Sequence, residues 1–115
     1  METIASIATA VGMGGIAIVR ISGPEARNIL TRVFAPKNTK RGMRSHQLTY
    51  GWVVEGEERV DECMAVFMRA PHTYTTEDVA EIQCHGGRVA ADRVLEAVLH
   101  NGARLAEPGE FTKRA

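Results

Sequence analysis

The stretch Gly14 to Phe34, GGIAIVRISGPEARNILTRVF, decides the fold. From Gly15 to Ser22 it is β-branched and apolar at odd and even positions alike, which predicts a central strand with Ile16, Ala17, Ile18, Val19 and Ile21 buried. Ser22 and Glu25 then stand at capping-box spacing, with Pro24 in the first turn. Ala26, Ile29, Leu30, Val33 and Phe34 follow the i, i+3, i+4, i+7, i+8 rule, so the second half is an amphipathic helix.

Working outward, Thr3 to Ala8 reads as a short strand and Thr9 to Gly15 as a glycine-rich turn. Ala35 to Ser45 is a polar loop. Gln47–Val54 and Val60–Pro71 are strands joined by the turn EGEER. The run VAEIQCHG from Val79 is another strand, broken by Gly86 and Gly87. A second helix follows, RVAADRVLEAVLHNG, with Ala91, Val94, Leu95 and Val98 on one face and Asn101–Gly102 as its stop. Ala103 to Ala106 is a short strand, and Pro108 opens a final helical segment. The expectation is an α/β (α+β) fold, a mixed β-sheet with two main helices, forming one domain over residues 1–115 that continues into a longer helical protein.

With 44% hydrophobic and 24% charged residues, the composition is that of a soluble globular domain. Fourteen Lys and Arg balance fourteen Asp and Glu, so the net charge supplies no global field for nucleic acid, and any such contact must be local. Aromatics at 5% are too few for a base-stacking platform. No leader pattern and no long apolar run occurs, which predicts a cytoplasmic protein without membrane contact. Cys63 and Cys84 lie in strand-like runs without CxxC spacing and read as reduced, buried thiols.

The glycines Gly12 to Gly15 precede a strand and are not followed by Lys-Ser/Thr, which excludes a phosphate loop. Cys84 and His85 are adjacent and point to opposite faces of a strand, which disfavours both a shared metal and a Cys–His nucleophile. No metal ligand set is assigned. The basic run Lys37, Lys40, Arg41, Arg44 sits in a loop, where it is either solvated or in contact with phosphate. On the strand at Val79, Glu81, Gln83 and His85 share one face and Ala80, Ile82 and Cys84 the other. Arg20, on a strand otherwise apolar, needs a partner, and Glu81 is the natural carboxylate for the same cavity. A structural ion pair and a ligand-binding pair both fit this pattern.

GGIAIVRISGPEA, YTTEDVAEIQCHGG and GARLAEPGEFTKRA together resemble the N-terminal domain of the MnmE (TrmE) family, the tRNA-modifying GTPases, over essentially the whole chain. The departures are modest: Ala10, Val11 and Met13 replace the family's two prolines and arginine, and Thr76 stands where the family has glycine. The resemblance implies a fold similar to the folate-binding domain of glycine-cleavage aminomethyltransferase, homodimerisation, and binding of reduced folate (5-formyl- or 5,10-methylene-tetrahydrofolate) as one-carbon source. Arg20 and Glu81 match the family's folate contacts, while Gln83 and His85 receive no such role. It further implies that the whole family protein, with tRNA and the flavoprotein partner MnmG (GidA), installs a carboxymethylaminomethyl-type group at C5 of the wobble uridine. GTP hydrolysis, with its potassium and magnesium sites, belongs to a GTPase domain absent from this chain, so no catalytic residue is expected here. The competing reading is a domain of a folate-dependent one-carbon transferase of the aminomethyltransferase type.

Overall fold

A computed structural model describes residues 2–8, 16–38, 43–85 and 87–115. The expected glycine turn at 9–15, the strand-breaking Gly86, and Lys40 and Arg41 of the basic run lie outside the described residues.

The elements run β1 (Ile4–Ile7), β2 (Ala17–Ser22), α1 (Ala26–Val33), β3 (Phe34–Pro36), β4 (Thr49–Glu55), β5 (Glu58–Met68), β6 (Val79–Cys84), α2 (Gly87–His100), β7 (Arg104–Leu105) and α3 (Glu110–Arg114). The strands form one seven-stranded sheet in the order β3-β4-β5-β6-β2-β1-β7. The β1–β7 pair is parallel and the other pairs are antiparallel. The mixed-sheet expectation holds, and β2 is interior, between β6 and β1.

Side-chain alternation divides the sheet into two faces. Ala5, Val19, Ile21, Cys63, Ala65, Phe67, Ala80, Ile82 and Cys84 point to one of them and form the core with Ala26, Ile29, Leu30 and Val33 of α1 and Ala91, Val94, Ala97 and Val98 of α2. Among the described residues the opposite face carries no long helix. Register places Ser6, Arg20, Glu81 and Val66 in one row across four strands there, beside a row of Ile18, Gln83, Met64 and Tyr50. The expectation that β2 is buried on both faces is therefore corrected: Ile16 is 45% exposed, and Ala17 and Ile18 are half-buried. Their apolar character does not compensate for the missing helix layer.

Two local expectations also change. Ser22 does not cap α1, because β2 extends through it and its hydroxyl instead meets Thr75 Oγ1 at 2.6 Å and Glu77 Oε1 at 3.0 Å. Glu25 is the N-cap position and makes no side-chain cap bond; its backbone N–H donates to Thr3 Oγ1 at 2.8 Å. The loop expected from Ala35 begins as strand β3, with Phe34 buried as its first residue rather than the last of the helix. The approach of β3 to β4 depends on Gly51: a Cβ there would collide with the Ala35 carbonyl oxygen and lie 2.7 Å from the Phe34 ring.

Candidate functional site

The open face of the sheet is partly covered at its β2–β1 side by the loop after β5 and by the C-terminal α3. A chain of polar contacts fixes this cover. Arg114 donates to Glu77 Oε1 at 3.1 Å and to the Glu2 carbonyl at 2.8 Å. Glu110 receives Arg104 Nη2 at 2.6 Å and Arg114 Nη2 at 3.4 Å. The Arg104 guanidinium, aided by the Glu107 backbone N–H, holds the Glu110 carboxyl down at about 2. Tyr74 and Thr112 join the two covering segments through their hydroxyls at 3.1 Å.

Between this cover and the sheet lies a cavity of about 430 Å³, lined among others by Ser6, Arg20, Tyr74, Pro108, Gly109 and Phe111. That is within the usual range of small-molecule sites. Arg20 is the cation facing it. Its guanidinium carbon lies 5.5 Å from the centre of the Tyr74 ring and 5.8 Å from that of Phe111, both within cation–π range. Behind it, Arg20 Nε donates to Glu81 Oε2 at 2.7 Å. These two are direct partners across the antiparallel β2–β6 ladder, which explains why alternate positions on distant stretches of sequence meet. The side chains retain 25% and 16% exposure, so neither charge is fully desolvated.

Arg20 and Glu81 are thus brought together as the sequence suggested. Gln83 lies on the same face, paired across the sheet with Ile18 and Met64, and His85 is exposed just past the end of β6. The aromatic walls, Tyr74 and Phe111, were not singled out from the sequence. Both sit in the stretches that carry the family resemblance, but nothing local predicts that Phe111 folds back over β2. Thr76, in the same covering loop as Tyr74, takes φ of 63°, the left-handed conformation that glycine adopts at least cost.

A separate cluster lies on the helix-covered face. Cys63 and Cys84 are cross-strand partners, both buried, and Asp61 joins them with the three donor groups within 4.8 Å. The hydrogen bond with Cys84 and burial push the Cys63 thiol far up, so it is a protonated core group.

Residues 3–115 match the family described as GTP-binding protein TrmE N-terminus. The chain belongs to that family. Its TrmE relatives include a "tRNA modification GTPase MnmE" of Symbiobacterium thermophilum, 59% identical over 99% of this chain and 26% of the relative. Proteins of the same name from Geobacter sulfurreducens and Lactiplantibacillus plantarum are 57% and 53% identical, again over 99% of this chain and 25% of theirs. The chain therefore spans about a quarter of the length of the curated TrmE relatives it matches. No helix among the described residues is long and apolar enough to cross a membrane.

Proposed function

We propose that this chain is the reduced-folate-binding, homodimerising N-terminal part of a GTPase that modifies the wobble uridine of tRNA together with a flavoprotein partner. Family membership supports the setting. The observation that carries the ligand reading is the cavity beside Arg20, walled by Tyr74 and Phe111 and backed by Glu81. A pterin is a flat bicycle with a ring carbonyl and adjacent N–H donors. The two aromatic rings suit its faces, the Arg20 guanidinium suits its acceptors, and Glu81 suits its paired donors. Among the described residues Glu81 makes a single side-chain bond, through Oε2, leaving Oε1 to accept from a ligand. The folate supplies the one-carbon unit; this chain's residues bind and orient it. The chain holds no GxxxxGK[ST] motif, so GTP binding is assigned to sequence outside it.

Calorimetric titration with 5-formyltetrahydrofolate tests the reading. Glu81→Ala should weaken binding about ten- to a hundredfold, the equivalent of losing a charged hydrogen bond of roughly 1.5–3 kcal/mol. Glu81→Gln should also bind poorly, because its amide nitrogen meets a ring donor. Parent-like affinity in a normally folded Glu81→Ala variant overturns the role of Glu81.

A further inference from the structure

The zero net charge conceals a segregation. Residues 26–54 contain Arg27, Arg32, Lys37, Lys40, Arg41 and Arg44, and no Asp or Glu. At the chain average of one acid in about eight residues, twenty-nine residues would carry three or four. All fourteen acids therefore share the rest of the chain with only eight Lys and Arg. The fold turns this composition into geometry, because the stretch builds β3 and β4, the two strands at one edge of the sheet, after α1 on the covered face.

At the far edge the cations are paired with carboxylates: Arg104 with Glu2 and Glu110, Arg114 with Glu77 and Glu110. At the β3 edge they are not. Among the described residues Arg27, Lys37 and Arg44 form no ion pair, and all three are exposed. Lys37 and Arg44 line a cleft of about 490 Å³ with the amides of Asn38 and Gln47 and the ring of Tyr50. Lys37 Nζ stands 5.5 Å from the centre of that ring. Interaction with the Glu62 carboxylate pushes the Tyr50 phenol up from its ordinary pKa. Arg27, by contrast, lies over Phe67 on the helix-covered face, beside a second, smaller groove that takes in Pro36 of β3. Guanidinium and ammonium groups that form no ion pair, beside an aromatic face, are suited to hold a sugar–phosphate backbone.

We propose that this β3-edge cleft, through Lys37 and Arg44, is a contact surface for the phosphate backbone of RNA. The inference rests on the tRNA setting proposed above, which favours RNA over an acidic protein. The cleft opens on the same sheet face as the Arg20 cavity: Tyr50 belongs to β4 and Arg20 to β2, three strand spacings or about 14 Å apart. An RNA backbone seated at the edge therefore passes within a few nucleotides of the proposed folate site. Contact to phosphate is indifferent to base identity, so the surface positions an RNA without selecting its sequence.

The test is fluorescence anisotropy of a labelled, unmodified tRNA transcript titrated with the protein across a series of KCl concentrations. Lys37→Gln/Arg44→Gln should weaken binding about tenfold at low salt and make the plot of log K against log salt shallower by about one to two, one for each phosphate no longer neutralised. Arg44→Gln alone, which keeps Lys37 over Tyr50, should act in the same direction with about half the change in slope, and Lys37→Arg should bind as the parent does. Arg88→Gln/Arg93→Gln, the same charge change on α2, should leave both affinity and slope unaltered. Thermal melts establish that each variant is folded. RNA binding with unchanged affinity and slope in both cleft variants overturns the surface while the tRNA setting stands. Equal weakening in the α2 control also overturns it, since the effect would then be one of total charge. Absence of RNA binding by the parent overturns the surface and the direct tRNA contact together, as does binding of polyglutamate in place of RNA.

Discussion

Glu81→Ala, Arg20→Ala and the double variant form a thermodynamic cycle whose outcome can be worked from the geometry. The Nε–Oε2 distance of 2.7 Å is that of a charge-assisted hydrogen bond, yet the side chains keep 25% and 16% exposure, so water screens part of the attraction. A bond to a charged group contributes roughly 1.5–3 kcal/mol, and the exposure places this one at the lower end, about 1.5 kcal/mol of coupling. Removing Glu81 should cost about 2 kcal/mol, since Arg20 keeps its contacts with Tyr74 and Phe111. Removing Arg20 removes both ring contacts as well, at about 0.5–1 kcal/mol each, for about 3 kcal/mol in all. The double variant should then be destabilised by about 3.5 kcal/mol rather than the roughly 5 kcal/mol of simple addition. Urea unfolding followed by circular dichroism reads each value, and the Glu81→Ala melting temperature should fall by about 8 °C for a domain of this size. Coupling under about 0.3 kcal/mol would refute the reasoning, because the two groups would then not be bonded in solution.

Thr76→Gly should raise stability by about 0.5–1 kcal/mol: it relieves about 1–2 kcal/mol of left-handed backbone strain and gives back part in unfolded-state entropy. A melting temperature equal to or below the parent's would contradict the conformation at Thr76. Cys63 should make the fold sensitive to alkali. Its thiol is raised by the Cys84 hydrogen bond and by burial, so above the ordinary thiol value near 8.5 the unfolded chain releases a proton that the native state retains. Stability from this group is complete below that pH and declines above it, by at most about 1.4 kcal/mol per pH unit. Urea unfolding at pH 7 to 10 should give a less steep decline for Cys63→Ala than for the parent, and parallel declines would show that the thiol titrates normally.

The sequence by itself determined the elements whose signal is local. The 3.6-residue spacing of Ala26, Ile29, Leu30 and Val33 and of Ala91, Val94 and Val98 fixed both main helices, because one apolar stripe has one way to be buried. Alternation put Glu81 and Gln83 on one face of β6 and Cys84 on the other before any partner strand was known. The basic run Lys37, Lys40, Arg41 and Arg44 was equally plain in the chain. Tertiary structure decided what those residues meet. Ser22 carried a capping signature, but pairing along β2 prevailed over a local cap and gave its hydroxyl to Thr75 and Glu77. Phe34 fits the helical spacing, yet it ends the helix and begins β3, because the free edge of β4 offers backbone hydrogen bonds and Gly51 leaves room for close approach. The cross-strand register made Arg20 and Glu81 a pair, and the folding back of α3, tied down by Arg114 and Glu110, placed Phe111 against Arg20 as one wall of the cavity. Cations that look alike in sequence were sorted the same way: Arg104 and Arg114 found carboxylates across the chain, whereas Lys37 and Arg44, at the β3 edge, form no ion pair among the described residues. Such outcomes depend on contacts between residues far apart in the chain, and no local pattern encodes which distant partner the fold will deliver.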